Sequence, residues 1–140
     1  MSAFSDYLSS GLLNHTLRAT AYTAPTTVYI GLTQSFVSGN LKSGVIDEPS
    51  TGGYARQSYT SSTANWAAPY LLSGIMTTHN NNTISFPVAS ADIGNVSGAF
   101  IADASGAGNL LFYGQLSSAR NIRNGDQFVF SSGSLKVTLV

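Results

Sequence analysis

The chain has 140 residues, 43% of them hydrophobic, and no cysteine. Six basic residues balance six acidic ones, and only 9% of the chain is charged, against about 25% in an ordinary soluble domain. These numbers exclude disulfide frameworks, thiolate metal sites and cysteine nucleophiles. They also leave no basic footprint for nucleic acid.

The length suits one domain over residues 1–140. Low charge means weak repulsion between copies, and near-neutrality favours association. That reading makes the chain a subunit that packs against others. The plainer reading is a small β domain with a Ser, Thr and Asn surface. The opening MSAFSDYLSSGLL lacks a basic leader, and Asp6 breaks its apolar stretch, so no signal peptide is expected. No apolar run approaches the roughly 18 residues of a membrane span.

Residues 2–19 read as an amphipathic helix. Phe4, Leu8, Leu12, Leu13 and Leu17 recur with helical period. Ser2 suits the cap, and Asp6 and Arg18 suit the two ends of the dipole. Gly11 reads as a tolerated weak point rather than a site of close backbone approach. From residue 27 to 140 the pattern becomes short alternating runs divided by Gly, Asn, Asp, Ser and Pro, which predicts a sandwich or barrel. Val28, Ile30 and Leu32 mark a half-buried strand.

Further strands are expected at 54–59, 83–86, 96–102, 110–116 and 127–130, with a last one alternating through Leu135, Val137 and Leu139. The run 110–116 is apolar on both faces and is expected to lie centrally. Asn124-Gly125-Asp126 reads as a hairpin turn, and 103–109 as a longer hairpin loop. Together they predict an antiparallel meander over 96–140. The stretches 34–53 and 61–82 look irregular. Each is read as a surface arm or contact loop, or as structure that periodicity does not delimit.

Catalytic chemistry has few candidates. His15 and His79 have no metal-ligand spacing and read as structural. No Gly-x-Ser-x-Gly elbow is present, so a small hydrolase is the remote reading. Asp103 and Asp126 fall in turns, where Asp bonds its own backbone. Asp47-Glu48 is too sparse for a calcium site, and Gly106 and Gly108 lack the helix a phosphate loop needs. No catalytic, metal or cofactor residue is assigned. Aromatic content leaves a different possibility, a sugar-binding surface or a protein interface. Tyr59, Trp66 and Tyr70, with the helix face Phe4, Leu8 and Leu12, are the interface candidates.

Several segments resemble a family of small bacteriophage virion proteins usually labelled phage tail fibre or structural proteins. The segments are FSDYLSSGLLNHTLRATAYTAPTTVYIGL, GGYARQSYT (52–60), ISFPVASADIGNV (84–96), FIADASGAGNLLFYGQL (100–116) and NGDQFVFSSGSLKVTLV (124–140). Their order and spacing agree along about three-quarters of the chain. The departures are at 34–50, which lacks a compact acidic turn, at Ile93, where the family often has Trp, and at 61–76.

The resemblance implies a non-enzymatic virion component of tail-fibre or capsid-decoration (cement) type, without cofactors. Its partners would be copies of itself, as a trimer, and other virion proteins. A host-surface glycan module is the alternative. The fold expected overall is an antiparallel β-sandwich, jelly-roll or immunoglobulin-like, with one N-terminal α-helix.

Overall fold

The computed structural model of the chain describes residues 2–139. Its centre is the alternating run at Val28, Ile30 and Leu32, all buried on one face of strand β2. The other face is closed as well, since Gly31 and Thr33 are also buried. A strand buried on both faces belongs inside a sheet, not on its surface.

In chain order the elements are β1 (Ser2–Phe4), α1 (Asp6–Leu17), β2 (Thr27–Thr33), α2 (Ser38–Lys42), β3 (Gln57–Thr60) and β4 (Tyr70–Leu72). There follow β5 (Ile75–His79), β6 (Ile84–Ser85), β7 (Gly94–Ala102), β8 (Leu110–Ile122), β9 (Val129–Phe130) and β10 (Lys136–Leu139). A five-stranded sheet has the order β1-β8-β7-β2-β3, a three-stranded sheet β10-β5-β4, and a pair β6-β9. All pairings are antiparallel.

The fold is therefore mainly β and antiparallel, with an N-terminal helix. Val28, Ile30, Ile101 and Val96 of the large sheet share one core with Ile84, Phe130 and Val137 of the smaller ones. That is a sandwich-like arrangement. Strand counts of five, three and two follow neither the eight-stranded jelly roll nor the four-plus-three immunoglobulin pattern.

The outer face of the large sheet carries a second core. Leu41 of α2 packs there with Phe100, Ala102, Leu110 and Tyr113, joined by Phe36 and Ile46. So 34–53 is not a free arm: it forms a lid with a short helix, and its apolar side chains are spent on the sheet beneath. The stretch 61–82 is ordered too. It holds the β4–β5 hairpin, turned by Ser73 and Gly74 at positive φ of 51° and 79°.

The helix is shorter than its periodicity suggested. Phe4 pairs with Phe112 in a strand, and Ser5, not Ser2, caps α1 by accepting from the Leu8 amide at 3.1 Å. Gly11 is not approached by another backbone, but a side-chain ring packs against it. A Cβ there would stand 2.8 Å from the Tyr22 ring.

The loop 103–109 does join a hairpin, β7 to β8, and β8 lies inside the sheet. The turn at 124–126 does not join one. Its local chemistry is as expected, with Gly125 at φ 88° and the Asp126 carboxylate accepting from the Arg123 amide. But β9 leaves to pair with β6, and β10 with β5. The meander ends at β8.

Candidate functional site

The proposed interface residues divide sharply. Leu8 and Tyr59 are buried within the chain. The Tyr59 hydroxyl donates to the Asn65 carbonyl and accepts from the Asn82 amide, and its ring meets Trp66 edge-on at 5.1 Å. Phe4 lies against Phe112 at 5.3 Å, and Leu12 rests on the main core. Tyr70 is half-buried, its hydroxyl 3.1 Å from His79 Nδ1. Of the six candidates Trp66 lines one of the two open surfaces, whose other residues periodicity did not single out.

The first is an apolar cleft of about 310 Å³ between the sheets, with Val28, Ile101 and Phe112 on one wall and Met76, Val137 and Leu139 on the other. Trp66 and Pro69 close one side. Register places Leu71, Met76 and Leu139 in one row across β4, β5 and β10. Leu139 is two residues from buried Val137, so the row occupies the core-facing side of its sheet. Yet these side chains are 66%, 46% and 51% exposed. The sandwich gapes here, and no charged residue lines the gap.

The second surface is a groove of about 360 Å³ between β8 and the β9–β10 segment. It owes its shape to a break in register. Gly98 pairs with Gln115, but Val96 pairs with Arg120. Residues 116–119 therefore stand opposite Ser97 alone, a large β-bulge. Bulges of this kind re-aim side chains and recur beside functional sites. Leu116, Ser118 and Arg120 line one wall; Phe128, Ser134 and Lys136 line the other.

Among the described residues two cations have carboxylate partners, Arg56 with Glu48 and Lys42 with Asp6, while Arg18 bonds the neutral Asn14 side chain. Asp92, Asp103 and Asp126 cap turns through backbone amides. Among the described residues no carboxylate lies within ion-pair distance of Arg120 or Lys136. None lines the groove.

A third cluster is internal and explains the GGYAR segment. Gly52 and Gly53 turn the chain at φ 66° and 76°. A Cβ on Gly52 would meet the Ala91 carbonyl at 2.6 Å. Tyr54 then accepts from the Leu32 amide and donates to Glu48, and burial raises its phenol above the ordinary range.

Arg56 is 5% exposed and grips both Glu48 oxygens at 2.9 Å. It also donates to the carbonyls of Ala104 and Ala107, and its guanidinium lies over the Phe100 ring at 5.0 Å. The bond to Glu48 raises its pKa. All three guanidinium nitrogens donate to fixed partners, so this is a clamp rather than a reactive centre.

The remaining polar groups are likewise engaged in structure. His15 Nδ1 accepts from the Tyr22 amide. Asn80, fully buried, donates to the Asn82 and Ser131 carbonyls and accepts from the Leu135 amide. Among the described residues no three His, Asp or Glu side chains gather as metal ligands would. Among the described residues no helix is long and apolar enough to cross a membrane.

No curated protein matches the chain. A family model does, over residues 3–138, nearly the whole molecule and all but the edges of its described strands. The chain thus belongs to the family described as "Podophage GP4 fiber I protein gp80", and is a phage virion component.

Proposed function

We propose that the protein is a non-enzymatic, single-domain, fibre-type structural component that assembles by apolar contact with copies of itself and with other virion proteins. The observation that carries this reading is the row Leu71, Met76 and Leu139, core-facing by register yet uncovered in the isolated chain. Contiguous apolar surface of this kind marks a protein interface. The absence of charge in the cleft lining fits an interface whose strength depends little on salt.

Three copies arranged about a common axis would cover such a surface in a closed assembly. A fibre position and a capsid-surface position share this chemistry, and family membership favours the fibre. A glycan reading through Tyr59 and Trp66 has less support, because those two rings pack on each other.

Light scattering of the purified protein is expected to give an oligomer, a trimer on this reading, at both low and high salt. A monomer at high concentration that also ignores purified particles would refute the proposal. Electron microscopy of labelled particles separates fibre from capsid surface.

A further inference from the structure

We propose that the apolar cleft between the sheets receives Leu13 and Leu17 of helix α1 from a second copy of the chain. The inference rests on the assembly reading and names the two surfaces that meet. It starts from symmetry. A ring of three copies is closed by a heterologous contact, in which one patch meets a different patch on the next copy. The cleft and its row Leu71, Met76 and Leu139 supply only one of the two. Nor can the cleft serve as its own mate. Two concave surfaces set face to face enclose a void, where close packing needs a filled one.

The second patch has to be convex, apolar and exposed. Outside the row, the most exposed large apolar side chains among the described residues are Leu17 at 78% and Leu13 and Val45 at 59% each. Leu13 and Leu17 lie four residues apart in α1, so they share one helix face and form a ridge. Val45 lies outside any helix and forms no such ridge. The other sides of α1 are already engaged within the chain. Leu8 and Leu12 pack on the main core, and the Tyr22 ring covers Gly11. Leu13 and Leu17 belong to neither core cluster.

Size and charge agree with this occupant. The cleft, about 310 Å³, is at the small end of the range for sites that bury a guest. That suits a pair of side chains rather than a length of chain. The two hydroxyls in its lining are already used, Thr77 donating to the Ile75 carbonyl and Thr78 to that of Ala67. A polar guest would therefore lose its water without gaining a partner. In line with the ridge along α1 stand Ser10 and Asp6, and Asp6 is paired with Lys42 at 3.1 Å. The stripe carries no unmatched charge, as the cleft carries none. The two surfaces can meet without stripping an unpaired ion of its water.

The test uses the full chain and light scattering. Leu13→Asp/Leu17→Asp is expected to weaken self-association at least about tenfold, because it brings charge to an uncharged cleft. Met76→Ser/Leu139→Ser damages the other patch. All four side chains are exposed, so circular dichroism should show an unchanged fold. Mixing the two variants is expected to restore a one-to-one pair, since each keeps the patch that the other lost. A self-matching contact would give no such rescue. The chain has no cysteine, so introduced thiols give a second readout. Leu17→Cys mixed with Met76→Cys is expected to yield a dimer with a short bis-maleimide, and neither variant alone is. An oligomeric wild type overturns this contact, and leaves the assembly reading standing, if Leu13→Asp/Leu17→Asp assembles unchanged or the two thiols do not crosslink. A monomeric wild type overturns the contact, and one without affinity for particles overturns the assembly reading as well.

Discussion

The two faces of the five-stranded sheet have been finished differently. On the outer face, 34–53 folds down and buries Leu41 to 1% exposure over Phe100 and Tyr113. Arg56 then fastens that lid to the β7–β8 hairpin. On the inner face, the opposing sheet covers the middle and leaves a cleft at one place and a groove at another. The chain is not short of apolar residues, because Leu71, Met76 and Leu139 remain outward. Both faces carry buried core, the inner one the larger share, but only the inner face is open in places, and there a partner has something to gain.

The sharpest way to break this contrast is Arg56→Met. It removes the Glu48 carboxylate's cation, leaving it the Tyr54 hydroxyl alone, and takes the Arg56 donor from two carbonyls. Breaking a buried pair on one side costs about 3–5 kcal/mol, which urea unfolding would read directly. A loss under about 1 kcal/mol would remove the clamp from the account.

Next comes Gly31→Ala. Its Cβ would fall 2.1 Å from the Phe100 ring, and overpacking of this kind costs about 1–3 kcal/mol. An unchanged unfolding midpoint would mean that the ring moves aside freely.

The smallest stability effect is expected on the open face. Met76→Ser with Leu139→Ser should shift unfolding by no more than about 0.5 kcal/mol per site, while shifting the protein towards monomer in light scattering. If the double variant unfolded like a core mutant and still oligomerised, the row would be core and the contrast would fail.

What could be read in the sequence depended on how local the cause was. The alternation at Val28, Ile30 and Leu32, and the loop chemistry of Asp103 with Asn109, are local, and the structure has both. The Asn124-Gly125-Asp126 turn is also local and forms, but a turn does not choose its strands' partners. β9 finds β6 across more than 40 residues of chain, and only tertiary packing decides that.

The β4–β5 hairpin had a signal that was passed over: Ser73-Gly74 sits between two short apolar runs, and both residues adopt positive φ. The candidate site was the least legible part. A bulge at 116–119 is a property of two strands in register, so LSSA alone gives no hint of it. Arg120 and Lys136 lie on different strands and come to line one groove only on folding. Leu8, on the apolar helix face, and Tyr59, among the aromatics, are interface candidates on sequence, yet the chain's own interior claims them.

The pairing of β1 has a consequence for synthesis. Ser2, Ala3 and Phe4 pair with Gly114, Tyr113 and Phe112, so β1 has no mate until a segment about a hundred residues later has been made. Likewise β5 waits for β10, which follows it by some sixty residues. Helix α1 can form early, but the sheets close only when distant segments meet, and such long-range closure is slow. A ribosome-bound intermediate would therefore display its unpaired edges for much of elongation, when crowding by sister chains is most hazardous.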